Sequence, residues 1–186
     1  AINENAPQET TGLFLGCDIF FPSGVYVVSD TIVLPAFINL IGEGRGQTML
    51  YMNGNVNKPL IKTKGYDDFI MNKHAKWYIT NQVPQLCGVK NMLLFGNKWN
   101  NTYEALLQLY GCNITFENVY FYGYSGWGIY QEWGDGVGED WVLNYDKMSE
   151  NIFTDCYFFE GDKGIFQSER VNDVSYSNIF MGRIMD

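Results

Sequence analysis

The sequence predicts an all-β fold, a right-handed parallel β-helix in which short strands wind into a solenoid. Three observations carry that expectation: an internal repeat, a slip of hydrophobic parity inside each repeat, and a composition of strand formers and turn residues. A period of about 20–50 residues marks architectures whose repeats bury their apolar faces only against neighbouring repeats.

The repeat is seen in Val89-Lys90-Asn91-Met92-Leu93-Leu94, Phe116-Glu117-Asn118-Val119-Tyr120-Phe121, Phe153-Thr154-Asp155-Cys156-Tyr157-Phe158 and Tyr176-Ser177-Asn178-Ile179-Phe180-Met181. Each reads apolar, any, Asn or Asp, apolar, any, apolar. The Asn/Asp marker recurs at steps of 27, 37 and 23 residues, which fits one coil plus a variable loop. Side chains alternate faces along a strand, yet Ile114 and Phe116 lie on one parity and Val119 and Phe121 on the other. A left-handed residue at the marker resolves the conflict by turning a corner, so that both runs face one core; Asn and Asp tolerate that geometry better than other non-glycine residues. Leu107-Gln108, Ile129-Tyr130-Gln131 and Ile165-Phe166-Gln167 form a second series, read as a column of stacked amides.

Composition agrees. The chain has 186 residues, 46% of them hydrophobic and 17% aromatic, with 20 Gly. That excludes a disordered chain, and the near absence of 3.6-residue periodicity leaves little room for helix. The net charge of -9, with no run of Lys or Arg, argues against nucleic acid as a partner. No apolar run reaches bilayer length, so no membrane insertion is expected. Cys17, Cys87, Cys112 and Cys156 lack metal-ligand spacing and His74 has no thiol nearby, so neither metal nor cofactor is expected. Cys156 falls at an inward position, which reads as a buried free thiol. The sequons Asn100-Asn101-Thr102 and Asn113-Ile114-Thr115 read as coincidental.

The chain reads as one domain over residues 1–186, with opening coils at 17–53, an irregular coil with a loop at 54–86, and regular coils at 87–186 carrying a long loop near 132–150. It opens at Ala1 without a Met and the repeats run on to Asp186, so the expectation is a partial chain.

Upstream, Ile19-Phe20-Phe21-Pro22-Ser23-Gly24-Val25-Tyr26-Val27-Val28 reads as strand, turn, strand, followed by Thr31-Ile32-Val33-Leu34-Pro35 and Asn39-Leu40-Ile41-Gly42-Glu43-Gly44, with Arg45 next. This run resembles the opening coils of the pectate-lyase-like superfamily of single-stranded right-handed β-helices, most similar to phage tailspikes and polysaccharide depolymerases. The resemblance implies a polysaccharide or lipopolysaccharide partner, a homotrimer, and a place in the virion tail or outside the cell. The N-T-D, G-H-G and R-I-K strings of the polygalacturonase branch do not occur. One scaffold of this kind hosts hydrolases, lyases, epimerases and inert shafts, so three readings stand: a glycoside hydrolase, a non-catalytic receptor-binding spike, and a polysaccharide lyase or epimerase.

The longest interruption between markers holds Glu132, Asp135, Glu139 and Asp140 between Trp133 and Trp141. Glycoside hydrolysis needs two carboxyl groups, one protonated and one ionised, and apolar rings beside them separate their pKa values. Glu169 falls near the register of Glu132 in the next coil. The candidate catalytic residues are therefore Glu132, Asp135 and Glu169, with Trp127, Tyr130, Trp133 and Trp141 as the sugar-binding rings. For a lyase, Lys163, Arg170 and Tyr130 are the available base and cation. A solvated acidic loop is the alternative reading of the same segment, and its spacing does not match a calcium loop.

Overall fold

A computed structural model of the protein describes residues 16–67, 84–111, 113–131, 150–167 and 175–182. The elements are strands, and they wind into the right-handed parallel β-helix that the repeat predicts. The first coil contains β1 (Cys17–Phe21), β2 (Gly24–Val28) and β3 (Ile32–Leu34); the second contains β4 (Ile38–Gly42), β5 (Thr48–Met52) and β6 (Ile61–Thr63). In the third and fourth, the first two legs fuse across the corner, giving β7 (Gly88–Phe95) then β8 (Ala105–Leu109), and β9 (Thr115–Tyr122) then β10 (Trp127–Gln131). The fifth contains β11 (Ile152–Thr154), β12 (Tyr157–Phe159) and β13 (Lys163–Gln167), and β14 (Ser175–Ser177) and β15 (Phe180–Met181) follow in the sixth.

Every pairing is parallel and joins one coil to the next. First legs stack as β1-β4-β7-β9-β11-β14, second legs as β2-β5-β7-β9-β12-β15, and third legs as β3-β6-β8-β10-β13, the last forming a separate sheet.

The left-handed corner is where the marker places it. Asn91, Asn118, Asp155 and Asn178 have φ of 55°, 55°, 52° and 53°, and the flanking register puts them in one column. The Asn118 side-chain amide donates to Asn91 Oδ1 at 2.8 Å. The parity slip then does its work: Ile114, Phe116, Val119 and Phe121 are all fully buried.

The other corners use the same device with a less legible residue. Phe37, Leu86, Asn113 and Glu150 have φ between 50° and 63° and each precedes the first leg of its coil at equivalent register. Gly123 and Glu160 close the second leg at φ of 56° and 50°. A left-handed non-glycine residue costs about 1–2 kcal/mol. Backbone pairing that continues through the corner offsets part of that: Cys17 N donates to Phe37 O, and Phe37 N to Gln85 O, both at 2.9 Å.

The core is a set of columns. Phe116 stacks on Phe153 at 5.3 Å and Phe153 on Tyr176 at 5.2 Å, while Phe121 stacks on Phe158 at 4.5 Å. Cys156 is a fully buried free thiol, as its inward position expects, pushed up to about 12 by burial; Cys17 is a half-buried free thiol and Cys112 lies outside the described residues. One pattern read from the sequence is corrected. Gln131 pairs with Gln167, but Gln108 pairs with Tyr130, so the glutamines do not form one column. Leu107 pairs with Ile129 and Leu109 with Gln131, one residue away from the register that the shared Gln suggests, and all five residues of β8 are buried.

Two substitutions test the corners by denaturant unfolding. Asn118→Ala is expected to lower stability by about 2 kcal/mol, through left-handed strain and the lost amide bond. Leu86→Asn is expected to raise it by about 1 kcal/mol, because Leu86 is 56% exposed and holds a strained φ with little packing in return.

Candidate functional site

The legs of a coil join at three corners, and the long insertions gather at one of them. The two longest segments, 64–87 and 132–151, leave the end of a third leg, at Thr63 or Gln131, and return to a first leg, as does the shorter segment 168–174 after Gln167. Insertions that share one corner of a repeat array mark its binding side. The third-leg sheet therefore has the candidate site along its edge.

Its outward column runs Val33, Lys62, Gln108, Tyr130, Phe166. Tyr130 stacks on Phe166 at 4.4 Å with 14° between ring planes, and Trp127 meets the same Phe166 at 5.5 Å and 57°. Lys163 Nζ sits 5.2 Å from the Trp127 ring centre and makes no ion pair among the described residues. Lys62 Nζ is paired with Asp67 at 2.7 Å, and the Gln108 amide donates to Glu104 Oε2 at 3.2 Å. The face thus combines partly covered rings, one exposed carboxylate, and one ammonium without an ion pair among the described residues. That is a surface able to stack on a sugar edge and pair with a charged substituent.

Behind the face, a chain of polar groups anchors the insertion corner. Asn151, fully buried, accepts from Ile114 N at 2.9 Å and donates to Gly111 O at 3.4 Å and to Gln131 Oε1 at 3.2 Å. Gln131 Nε2 donates to the Tyr176 hydroxyl, which donates to Gln167 Oε1, both at 2.7 Å. The residues from which two insertions depart, Gln131 and Gln167, are thereby tied to the returning strands β11 and β14. Tyr176 is 39% exposed, but its hydroxyl points inward to this chain, and burial pushes it up to about 12 against a smaller opposite effect of the Gln131 bond. At the neighbouring corner, Asp162 pairs with the nearly buried Lys98 at 3.3 Å and accepts from Gly126 N at 3.2 Å.

Of the residues singled out from the sequence, Trp127 and Tyr130 lie on this face and are brought together by Phe166. Glu132, Asp135, Trp133, Trp141 and Glu169 lie outside the described residues, as do Glu139, Asp140 and Arg170. Phe166 was missed, although the alignment of Ile129-Tyr130-Gln131 with Ile165-Phe166-Gln167 carries its register. Glu104 and Asn151 gave no signal, since neither belongs to a repeated pattern. No cluster of metal-ligating side chains occurs among the described residues, and no helix among them is long and apolar enough to cross a membrane.

Stacked coils, left-handed corners and loops on one corner define a protein of the parallel β-helix class. The chain belongs to the family described as rhamnogalacturonase A/epimerase, pectate lyase-like, whose model matches residues 2–183. A search of curated proteins finds no match. Among solved structures, the chain is similar to the A-module of mannuronan C-5 epimerase AlgE6 of Azotobacter vinelandii, with 14% identity and a TM-score of 0.56 over 90% of this chain and 49% of that one. It is also similar to ORF18 of Geobacillus virus E2, with 16% identity and a TM-score of 0.46 over 96% of this chain and 36% of that one. The chain spans about half the length of the first of these and about a third of the second.

The buried hydroxyls predict a pH response. A tyrosine in the unfolded chain ionises near pH 10, whereas Tyr176 holds its proton to about 12, and burial raises Tyr103 and Tyr124 as well. Between these values the unfolded state binds fewer protons, so stability falls as pH rises. Denaturation midpoints measured from pH 8 to 12 are expected to hold up to about pH 10 and then decline, with a shallower decline in Tyr176→Phe.

Proposed function

We propose that this chain binds a polysaccharide along the third-leg sheet and modifies it at the insertion corner. The observation that carries the reading is the convergence of Trp127, Tyr130 and Phe166 on the one sheet whose strand ends feed the long insertions. A solenoid offers a polymer a trough that repeats at about 4.8 Å per rung. Family membership supports a carbohydrate substrate. In the leading form of the proposal, the protein is a tailspike-like depolymerase in which Glu132, Asp135 and Glu169 supply the acid and the base or nucleophile of glycoside hydrolysis, while Trp133 and Trp141 extend the ring platform.

A lyase or epimerase is the second reading, and one observation favours it: Lys163, 5.2 Å from the Trp127 ring centre and without an ion pair among the described residues, offers a cation for the carboxylate of a uronate. Incubation with capsular polysaccharide, lipopolysaccharide and polyuronates separates the two. New reducing ends without unsaturated product indicate hydrolysis; unsaturated uronate absorbance indicates elimination; altered C5 configuration by NMR without chain shortening indicates epimerisation. Glu132→Gln and Asp135→Asn are expected to abolish hydrolysis with glycan binding retained, and unchanged turnover in both refutes the carboxylate assignment. Trp127→Ala is expected to weaken glycan binding about tenfold, or ~1.4 kcal/mol, as read by calorimetry.

A further inference from the structure

The chain contains one Asn-Gly pair, Asn53-Gly54, in the turn after β5. Asparagine is among the chemically labile residues. It loses its side-chain amide when the backbone nitrogen of the next residue attacks the side-chain Cγ. Here that nitrogen is already close: the Gly54 N–H donates to Asn53 Oδ1 at 2.9 Å, and Cγ is the atom bonded to that oxygen. Among the described residues the same N–H donates to no backbone carbonyl, so the ladder does not hold it.

The rest of the residue is fixed. Asn53 N donates to Val28 O and Asn53 O accepts from the buried Asn101 Nδ2, both at 2.8 Å, which ties its backbone to the coils on either side while its side chain stays exposed. A held electrophile beside its nucleophile is the condition under which proximity accelerates a reaction. Gly54 has no β-carbon to obstruct the approach. Other asparagines lack this arrangement. Val56 N donates to Asn101 Oδ1 at 2.7 Å, Ile114 N to Asn151 Oδ1 at 2.9 Å and Thr102 N to Asn57 Oδ1 at 2.8 Å, so the nitrogens after Asn55, Asn113 and Asn101 are taken. Lys98 N and Ile152 N, after Asn97 and Asn151, donate to Gly123 O and Ile114 O, both at 2.8 Å. Asn39, Asn91 and Asn118 lie inside strands.

We infer that Asn53 is a site of spontaneous self-modification, converting to aspartate and isoaspartate through a cyclic imide. Hydroxide or a buffer base removes the Gly54 amide proton. The nitrogen then bonds to Asn53 Cγ, the Cγ–Nδ2 bond breaks, and Nδ2 takes up a proton and leaves as ammonia. Water opens the five-membered ring at either carbonyl. Attack at Cγ restores the main chain and leaves an aspartate; attack at the main-chain carbonyl routes the chain through the side chain and leaves an isoaspartate. One water enters, one ammonia departs, and nothing is oxidised or reduced. Each product adds a negative charge to a chain already at -9. The isoaspartyl form also lengthens the main chain by one carbon between the two bonds that join this turn to the third coil, Asn101 Nδ2 to Asn53 O and Asn55 N to Asn100 O. It therefore loosens the junction of the second and third coils. The inference is independent of the polysaccharide reading, because it uses neither the third-leg sheet nor the insertion corner.

Incubation of the full chain, followed by peptide mapping with mass spectrometry and an isoaspartate-specific methyltransferase assay, tests it. Asn53 is expected to convert before any other described asparagine, to give both products, and to do so faster at pH 9 than at pH 6. Conversion in the folded chain is expected to be no slower than in the same chain unfolded in denaturant. Gly54→Ala is expected to fold, since the added β-carbon meets Asn100 Cβ at an ordinary 3.5 Å and Gly54 lies outside the left-handed region. It is expected to slow conversion about tenfold or more by hindering the approach of the nitrogen; Asn53→Gln, expected to retain its amide, serves if that variant does not fold. Protection of Asn53 by folding overturns the inference, as does earlier conversion at another described asparagine. Aspartate without isoaspartate, the mark of direct hydrolysis, overturns it too, as does a rate that Gly54→Ala leaves unchanged.

Discussion

A single residue held in the left-handed region, at the marker corner of the third to sixth coils, is the constraint on which the rest of this structure depends. A flat strand would send Phe116 and Phe121 to opposite faces, since they lie an odd number of residues apart. The turn at Asn118 brings both inside, where Phe116 meets Phe153 and Phe121 meets Phe158 as parallel stacked rings. The third to sixth coils repeat this at the same register, so each core column receives a side chain from each of those rungs. The core is assembled from neighbours alone, which is why the fold extends in one dimension.

The same constraint divides the surface. Corners fixed in register leave three flat outer faces, and insertion is tolerated where a corner is not part of a fused strand. In β7 and β9 the marker corner lies inside a continuous strand and admits no extra residue. The corner after the third leg absorbs the long segments instead. The polar chain from the buried Asn151 and Gln131 through Tyr176 to the exposed Gln167 ties the ends of β10 and β13 to the returning strands. Loops of variable length on a rigid frame are a common way to place binding groups on a repeat scaffold.

The sequence was most informative where chemistry and geometry coincide. Asn and Asp tolerate a left-handed backbone, so the corner at Asn91, Asn118, Asp155 and Asn178 could be read directly. The corner at Phe37, Leu86 and Glu150 could not, because there the backbone ladder imposes a conformation those side chains do not prefer. Gln108 was misplaced because the shared Gln suggests a register one residue away from the one the strands adopt, Leu107 against Ile129. At the site, Trp127 and Tyr130 were found by their place beside the long excursion, whereas Phe166 required register and Glu104 had no repeat to announce it. The carboxylates Glu132, Asp135 and Glu169 belong to segments without periodicity, where side-chain pattern carries no positional information.

The central claim, that the coils stack through a column of left-handed Asn and Asp corners, is tested most directly by solution NMR of the full chain. The account predicts strong intraresidue amide-to-Hα NOEs, the mark of positive φ, at Asn91, Asn118, Asp155 and Asn178, together with contacts from the Asn118 side-chain amide to Asn91. Extended-strand NOE patterns at those four residues, with no contact between the two amides, would contradict it.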